Sequence, residues 1–389
     1  MGRESHKNAH AVNVLFLDQF SDLGGAQQCL LDLAPAMQAA GWNMACAVPG
    51  TGKLVTKLRD LGVTVTSLHM AGLASGRKPP LDILRFSLDA PKLARAIGHL
   101  AAEVRADLIY VNGPRVLPAA AWVARRTGRP LLFHCHSYLA QRSAAILAGR
   151  SLQFASARVI ACCRYVARPL GPFIDPGRMH VIYNGSADTG AARPALNGQP
   201  RVGMIGRVSP EKGQVEFVQA ARLLMRKHTD CRFVICGAPL FADRDAEHYF
   251  ARVRESARGL PLEFSGWQQD ISPTLAQLDI LVVPSLREPG APRVVLEAFA
   301  ARVPVVAFVS GGIPEIVINN STGFLVEPPT AEELASKLEA LLHAPGELRT
   351  VADRAYETWK DKFTLERYRR EVLAVIGLTQ TLSATGRSN

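Results

Sequence analysis

The chain has 389 residues, 48% of them hydrophobic and 20% charged, which are ordinary globular proportions, and this length suits two cores of about 190 residues each. Its net charge of +11 is uneven: residues 1–197 carry 22 Lys+Arg against 11 Asp+Glu, whereas residues 198–389 carry 23 against 23. No finger, recognition-helix signature or aromatic RNA platform accompanies the basic half, which argues against nucleic acid as the partner.

Taken in order, the first half alternates short apolar runs with helical periods. Strands are expected at Val12–Leu17, Met44–Val48, Thr64–Leu68, Leu108–Val111, Leu131–His134 and Val159–Ala161. The stretch between Asn184 and Pro200 loses periodicity and collects Gly, Pro and Asn, the mark of an interdomain linker. The second half repeats the scheme, with strands at Arg201–Ile205, Arg232–Cys236, Leu262–Phe264, Ile280–Val283, Val303–Ala307 and Gly323–Val326. From Leu348 two helices are expected, broken near Lys362–Thr364, with a frayed end from Leu378. Such alternation predicts α/β architecture, parallel sheets covered by helices on both faces. The implied domains are 1–190, which is basic, and 198–375, with a tail over 376–389. No run approaches the roughly 18 uncharged apolar residues of a spanning helix. The seven cysteines lack C-x-x-C spacing and lie mostly in apolar runs, so they read as reduced core thiols of a cytoplasmic protein.

Three stretches carry chemistry. After the first strand, Gly24 and Gly25 open an amphipathic run from Gln27 to Ala40; a glycine pair there admits a ligand to the free N–H groups of a helix start, and it also serves as a plain structural turn. Downstream, a strand ends at Ile205-Gly206 and runs into Arg207-Val208-Ser209-Pro210-Glu211-Lys212-Gly213 before a helix over Gln214–Arg226. Two cations flanking one strand-to-helix turn suit a diphosphate and its departure as a leaving group, a solvated surface pair being the alternative. Third, Pro284-Ser285-Leu286-Arg287-Glu288-Pro289-Gly290-Ala291-Pro292 is a strand end and loop leading to a helix that begins near Arg293 and contains Glu297. Carboxylates of this kind accept paired hydrogen bonds from the vicinal hydroxyls of a sugar or ribose.

Over residues 12–375 the chain resembles the retaining glycosyltransferases of family 4, which have the GT-B fold. The resemblance rests on the order and spacing of Leu23-Gly-Gly-Ala-Gln27, His136 after Pro130-Leu-Leu-Phe-His-Cys, Val181-Ile-Tyr-Asn-Gly185, Gly206-Arg-Val-Ser-Pro-Glu-Lys-Gly213, Val283-Pro-Ser285, Val295-Leu-Glu-Ala298, Gly311-Gly-Ile-Pro-Glu-Ile-Val317 and Thr322-Gly-Phe-Leu-Val326. It implies two doubly wound Rossmann-like domains facing a cleft. It also implies transfer of a sugar, without a metal or other cofactor, from a nucleotide-diphosphate sugar to a saccharide or lipid-linked saccharide in polysaccharide or lipopolysaccharide synthesis. Arg207 and Lys212 would then hold the diphosphate, Glu297 the ribose, Glu288 the donor sugar and His136 the sugar from the other domain. Gly24, Gly25, Gly206, Gly290, Ala291 and Val294 would line the donor site. One departure stands out: eight residues separate Glu288 from Glu297, where the family's pattern has seven. The extra residue is either absorbed as a bulge in the Pro289–Pro292 loop or displaces Glu288. The basic half suits a lipid-diphosphate acceptor and peripheral contact with an anionic membrane on its inner face, with a merely soluble basic surface as the alternative. An inactive nucleotide-sugar-binding protein and a GT-B-fold sugar-nucleotide epimerase are the rival readings.

Other signals are weaker. Asp243-Arg244-Asp245 matches the metal-binding D-x-D pattern but falls in a polar loop. His134 and His136 share a strand face without a third metal ligand. Trp267, at a strand end, suits stacking on a nucleotide base or plain packing. Glu315 sits beside an expected helix start, where an acid complements the dipole.

Overall fold

The structure, a computed structural model, describes residues 12–70, 80–190, 198–227, 230–239 and 244–385. The chain divides into two compact units, one comprising 1–161, 167–181 and 369–389 and the other 162–166 and 182–368.

The first unit is built on seven strands: β1 (Asn13–Leu17), β2 (Asn43–Val48), β3 (Thr64–Ser67), β4 (Leu108–Val111), β5 (Leu131–Cys135), β6 (Arg158–Ala161) and β7 (Met179–Val181). They pair in parallel in the order β3-β2-β1-β4-β5-β6-β7. All four residues of β4 and all five of β5 are buried, as parallel strands covered on both faces must be. The chain winds outward from β1 through β2 to β3, then returns to β4 on the other side of β1. Right-handed crossovers therefore put the connecting helices on opposite faces and leave a topological switch point between β1 and β4.

The second unit repeats this plan with β8 (Arg201–Ile205), β9 (Arg232–Cys236), β10 (Leu262–Gly266), β11 (Ile280–Val283), β12 (Val305–Phe308) and β13 (Phe324–Val326). Their order is β10-β9-β8-β11-β12-β13, all parallel where paired, with the switch point between β8 and β11. Phe217, Phe233, Val282, Phe308 and Phe324 are among the side chains of its core. Both sheets are thus the doubly wound ones expected.

Three differences from the sequence reading have physical causes. Strand β7 was not foreseen, because three residues after a Pro-Gly turn show no period. The unit boundary falls before 182 rather than after 190: Ser186 N–H donates to Phe363 O (3.0 Å), Leu365 N–H to Ser186 O (3.0 Å) and Trp359 Nε1–H to Ser186 Oγ (2.8 Å), lacing this stretch into the second unit. Finally, the last helix is continuous over Leu365–Thr385 instead of fraying from Leu378. Val372, Val375 and Ile376 are buried, and Arg369 Nε donates to Asp32 O at 2.7 Å within the first unit. All seven cysteines are buried and none is disulfide-linked. Among the described residues no helix is long and apolar enough to cross a membrane.

Candidate functional site

In the second unit the turns after β8, β11 and β12 are interlaced through their backbones, at the strand ends where such sheets take ligands. Beyond β8, Gly206 N–H donates to Cys236 O (2.9 Å) and Val208 N–H to Ala238 O (3.1 Å). The approach is close enough that a Cβ on Gly237, at φ +153°, would lie 1.9 Å from Gly206 O. A 3-10 turn over Pro210–Lys212 follows. It is closed by Gly213 at φ +76°, whose Cβ would meet Pro284 O at 1.9 Å, so glycine is required on both torsion and space. Fully buried Gln214 holds the turn from inside, donating to Arg207 O (2.9 Å) and accepting from Ser209 N–H (3.4 Å).

The turn is then tied to the strand next door. Leu286 N–H and Arg287 N–H both donate to Glu211 O, at 2.9 and 3.2 Å, and Glu288 N–H donates to Ser310 Oγ at 2.8 Å. These bonds aim Glu288 at Lys212, and Lys212 Nζ lies 2.6 Å from Glu288 Oε2. The pair is withdrawn from water: the Glu288 side chain is 4% exposed and that of Lys212 20%. Sequence spacing had left two outcomes for Glu288; it is buried against the predicted phosphate-binding lysine. In the loop that follows, Gly290 O accepts from Gly312 N–H at 2.9 Å, and Ala291 is buried.

The remaining predicted residues of this unit are more dispersed. Glu297 lies in the helix Arg293–Ala300, 3.7 Å from Arg293 Nε one turn back, and Val294 is half-buried on the same helix. Trp267 follows β10 at the sheet edge, two strands from β8, and is 39% exposed. Glu315 serves a helix other than its own: its carboxylate accepts from Arg164 N–H (2.8 Å), Tyr165 N–H (2.6 Å) and Tyr183 Oη–H (2.8 Å). It thereby caps the short helix Arg164–Ala167. With that bond, burial pushes the Tyr183 hydroxyl up beyond its ordinary range.

In the first unit, Gly24 precedes the helix Gly25–Ala39 with extended torsions (φ −138°) that do not require glycine. His136, just beyond β5, is half-buried, with its ring centroid 3.9 Å from that of His134. His136 Nε2 lies 2.7 Å from Asn112 Oδ1, and Asn112 Nδ2 donates to Asp18 Oδ2 at 2.6 Å. Burial, opposed by these hydrogen bonds, raises the Asp18 carboxyl to about 6. Burial and then the neighbouring His136 push His134 well below the usual imidazole range. No group of three His, Cys, Asp or Glu among the described residues could hold a metal. Asp243 of the D-x-D candidate lies outside the described residues.

Asp18, Asn112, Gln214 and Ser310 were not singled out from sequence. The available signal was positional: Asp18 and Asn112 are the first polar residues after two apolar runs, which proved to be the strands flanking the switch point.

Family models match in two blocks, "Glycosyl transferase 4-like domain" over residues 24–185 and "Glycosyl transferases group 1" over residues 191–358. The chain belongs to the GT-B glycosyltransferases of the family 4 type. Among related glycosyltransferases, alpha-maltose-1-phosphate synthase of Mycolicibacterium smegmatis is 30% identical over 233 residues, covering 51% of this chain and 58% of that protein. The lipopolysaccharide core biosynthesis mannosyltransferase LpcC of Rhizobium leguminosarum bv. viciae is 30% identical over 205 residues, 52% of this chain and 57% of that one. The chain spans about half the length of the curated relatives it matches. The structure of Anabaena Alr3699/HepE in complex with UDP-glucose superposes with a TM-score of 0.79 at 25% identity, covering 94% of this chain and 99% of that one.

Proposed function

We propose that this glycosyltransferase transfers a sugar, with retention of anomeric configuration and without a metal, from a nucleotide-diphosphate sugar to a saccharide or lipid-linked saccharide acceptor. The observation that carries this reading is the Lys212–Glu288 pair at the β8/β11 switch point, held by three interlaced turns. Donor binding brings the diphosphate to Lys212 and Arg207, and it releases the Glu288 carboxylate to accept from sugar hydroxyls. The acceptor oxygen then bonds to the anomeric carbon as the bond from that carbon to the phosphate oxygen breaks. The acceptor's proton passes to the departing phosphate oxygen, so no protein nucleophile is needed. Two cations stabilise the charge that develops there, the role a divalent ion plays elsewhere. Glu297 meets the ribose, Trp267 the base, and His136 a hydroxyl of the bound sugar. The UDP-glucose complex of the Anabaena structure supports a nucleotide-sugar donor.

The acceptor reading draws on the first unit. The solvent face of the helix Arg142–Phe154 exposes Arg142, Ile146, Leu147, Arg150 and Phe154, and this helix contains no acidic residue. Apolar side chains interleaved with arginines suit the interface of an anionic bilayer, and with it a lipid-linked acceptor at the inner face of the cytoplasmic membrane.

The test is calorimetry with UDP, GDP and their sugars, metal-free, on wild type and Lys212→Ala. One nucleotide-sugar should bind in the micromolar range, and the variant should lose about 2–4 kcal/mol, as for a removed charged donor. Folded protein that binds none of them overturns the reading. Binding without transfer or slow hydrolysis makes the chain an inactive binding protein, and donor conversion without acceptor makes it an epimerase.

A further inference from the structure

The switch point of the first sheet carries a second polar centre. Asp18, directly after β1, is fully buried, and its carboxylate accepts from Phe20 N–H (2.9 Å), Gln27 Nε2 (3.0 and 3.1 Å) and Asn112 Nδ2 (2.6 Å). Every one of these donors is neutral, and no Lys or Arg among the described residues pairs with it. A buried carboxylate without a cation is expensive to keep, and an apolar side chain would serve packing alone better.

The chemistry of the next link fixes its orientation. Asn112, directly after β4 and itself buried, has Nδ2 facing two acceptors, Asp18 Oδ2 at 2.6 Å and Ala26 O at 3.3 Å. A reversed amide would set its oxygen against both. Oδ1 therefore faces His136 Nε2 across 2.7 Å. An amide oxygen only accepts, so Nε2 must carry the proton. The imidazole plane is fixed as well: His136 packs against His134, and Tyr110 Oη lies 2.5 Å from His134 Nδ1.

We propose that Asp18 and Asn112 are positioning residues that hold His136 in its Nε2–H tautomer, the form in which the ring meets a bound sugar. The contact itself rests on the donor reading above; the tautomer does not. The relay is a chain of one-way bonds, carboxylate to amide to imidazole, so changing its first member reverses the rest. In Asp18→Asn, an amide that keeps its oxygen toward Phe20 and Gln27 turns its NH2 toward Asn112. Asn112 then flips to accept, its own NH2 faces His136, and the imidazole must shift its proton to Nδ1.

The experiment is a long-range proton–nitrogen correlation spectrum of the full chain labelled with 15N-histidine, with His136 assigned by its loss in His136→Gln. Wild type should show a protonated Nε2 and Asp18→Asn a protonated Nδ1. The variant's kcat should fall about 100-fold, the scale of a misplaced contact, with donor KM within about threefold. A folded Asp18→Asn that keeps Nε2–H overturns the proposal, as does a switched tautomer with unchanged kcat. If Asp18→Asn does not fold, Asn112→Ala, which deletes the link, should give mixed tautomers, and a pure Nε2–H state there also overturns it. Failure of the donor reading shows separately, as nucleotide binding unchanged by Lys212→Ala. In that case the tautomer alone decides the positioning role.

Discussion

The Lys212–Glu288 pair makes a quantitative prediction about the protein without donor. Its N···O distance is 2.6 Å, and the carboxylate is much more deeply buried than the ammonium, at 4% against 20% side-chain exposure. Removing one member of a buried pair strands the other and costs roughly 3–5 kcal/mol. The penalty depends on which charge is left behind. Lys212→Met leaves an almost fully buried carboxylate and should destabilise by about 3 kcal/mol. Glu288→Gln leaves an ammonium with partial access to water and should cost about 1–2 kcal/mol, within the range for a lost charged hydrogen bond. The double variant strands neither charge, so it should be more stable than Lys212→Met alone, with a coupling energy of about 2 kcal/mol. Urea unfolding at neutral pH without nucleotide measures this. Two units need not unfold together, so fluorescence should report on the second alone. Trp267 and Trp359 lie in that unit, whereas Trp42 and Trp122 lie in the first and can be replaced by Phe. Additive single effects, with coupling below about 0.5 kcal/mol, would refute the claim that the two charges depend on one another.

Three other outcomes are expected. Because the folded pKa of Asp18 is raised to about 6 from 3.8, the folded state holds the extra proton between those values. Its contribution to stability is therefore full below about pH 4 and is lost as pH rises through 6. A shift of this size is worth about 3 kcal/mol, so the stability of wild type minus that of Asp18→Asn should fall by about 2–3 kcal/mol between pH 4 and 7 in denaturant titrations; a flat difference would contradict it. Gly213→Ala should destabilise the second unit by about 2–5 kcal/mol, combining a left-handed torsion with a clash against the Pro284 carbonyl, read as a lower thermal midpoint. Arg142→Glu with Arg150→Glu should weaken sedimentation with anionic vesicles at low salt by roughly tenfold or more, at about 1 kcal/mol per charge near the surface, without lowering the thermal midpoint. Equal sedimentation of both proteins would remove the support for a membrane-bound acceptor.

Much of the architecture is local and was legible in the chain. Runs such as Leu108–Val111 and Ile280–Val283 are continuous and apolar because parallel strands are buried on both faces, and the break expected near Lys362–Thr364 separates the helices Pro345–Lys362 and Leu365–Thr385. The turn after β8 was legible for the same reason: proline, charge and glycine at fixed offsets specify a strand-to-helix passage before any partner is known. Strand order was not, because nothing in a strand's own residues states its neighbour. That order decides what the polar residues at strand ends meet. Lys212 and Glu288 are 76 positions apart and Asp18 and Asn112 are 94 apart, yet each pair meets because its two strands flank a switch point. Spacing left open whether the residue added between Glu288 and Glu297 displaces Glu288; the bonds that Leu286, Arg287 and Glu288 N–H donate to Glu211 O and Ser310 Oγ, on two other loops, hold it against Lys212. The tautomer of His136 likewise rests on a buried carboxylate that no motif contains. Sequence by itself determined which segments become strands, helices and turns, since those depend on neighbours along the chain. The partners of each buried charge depend on which strands lie side by side, and only the tertiary structure decided that.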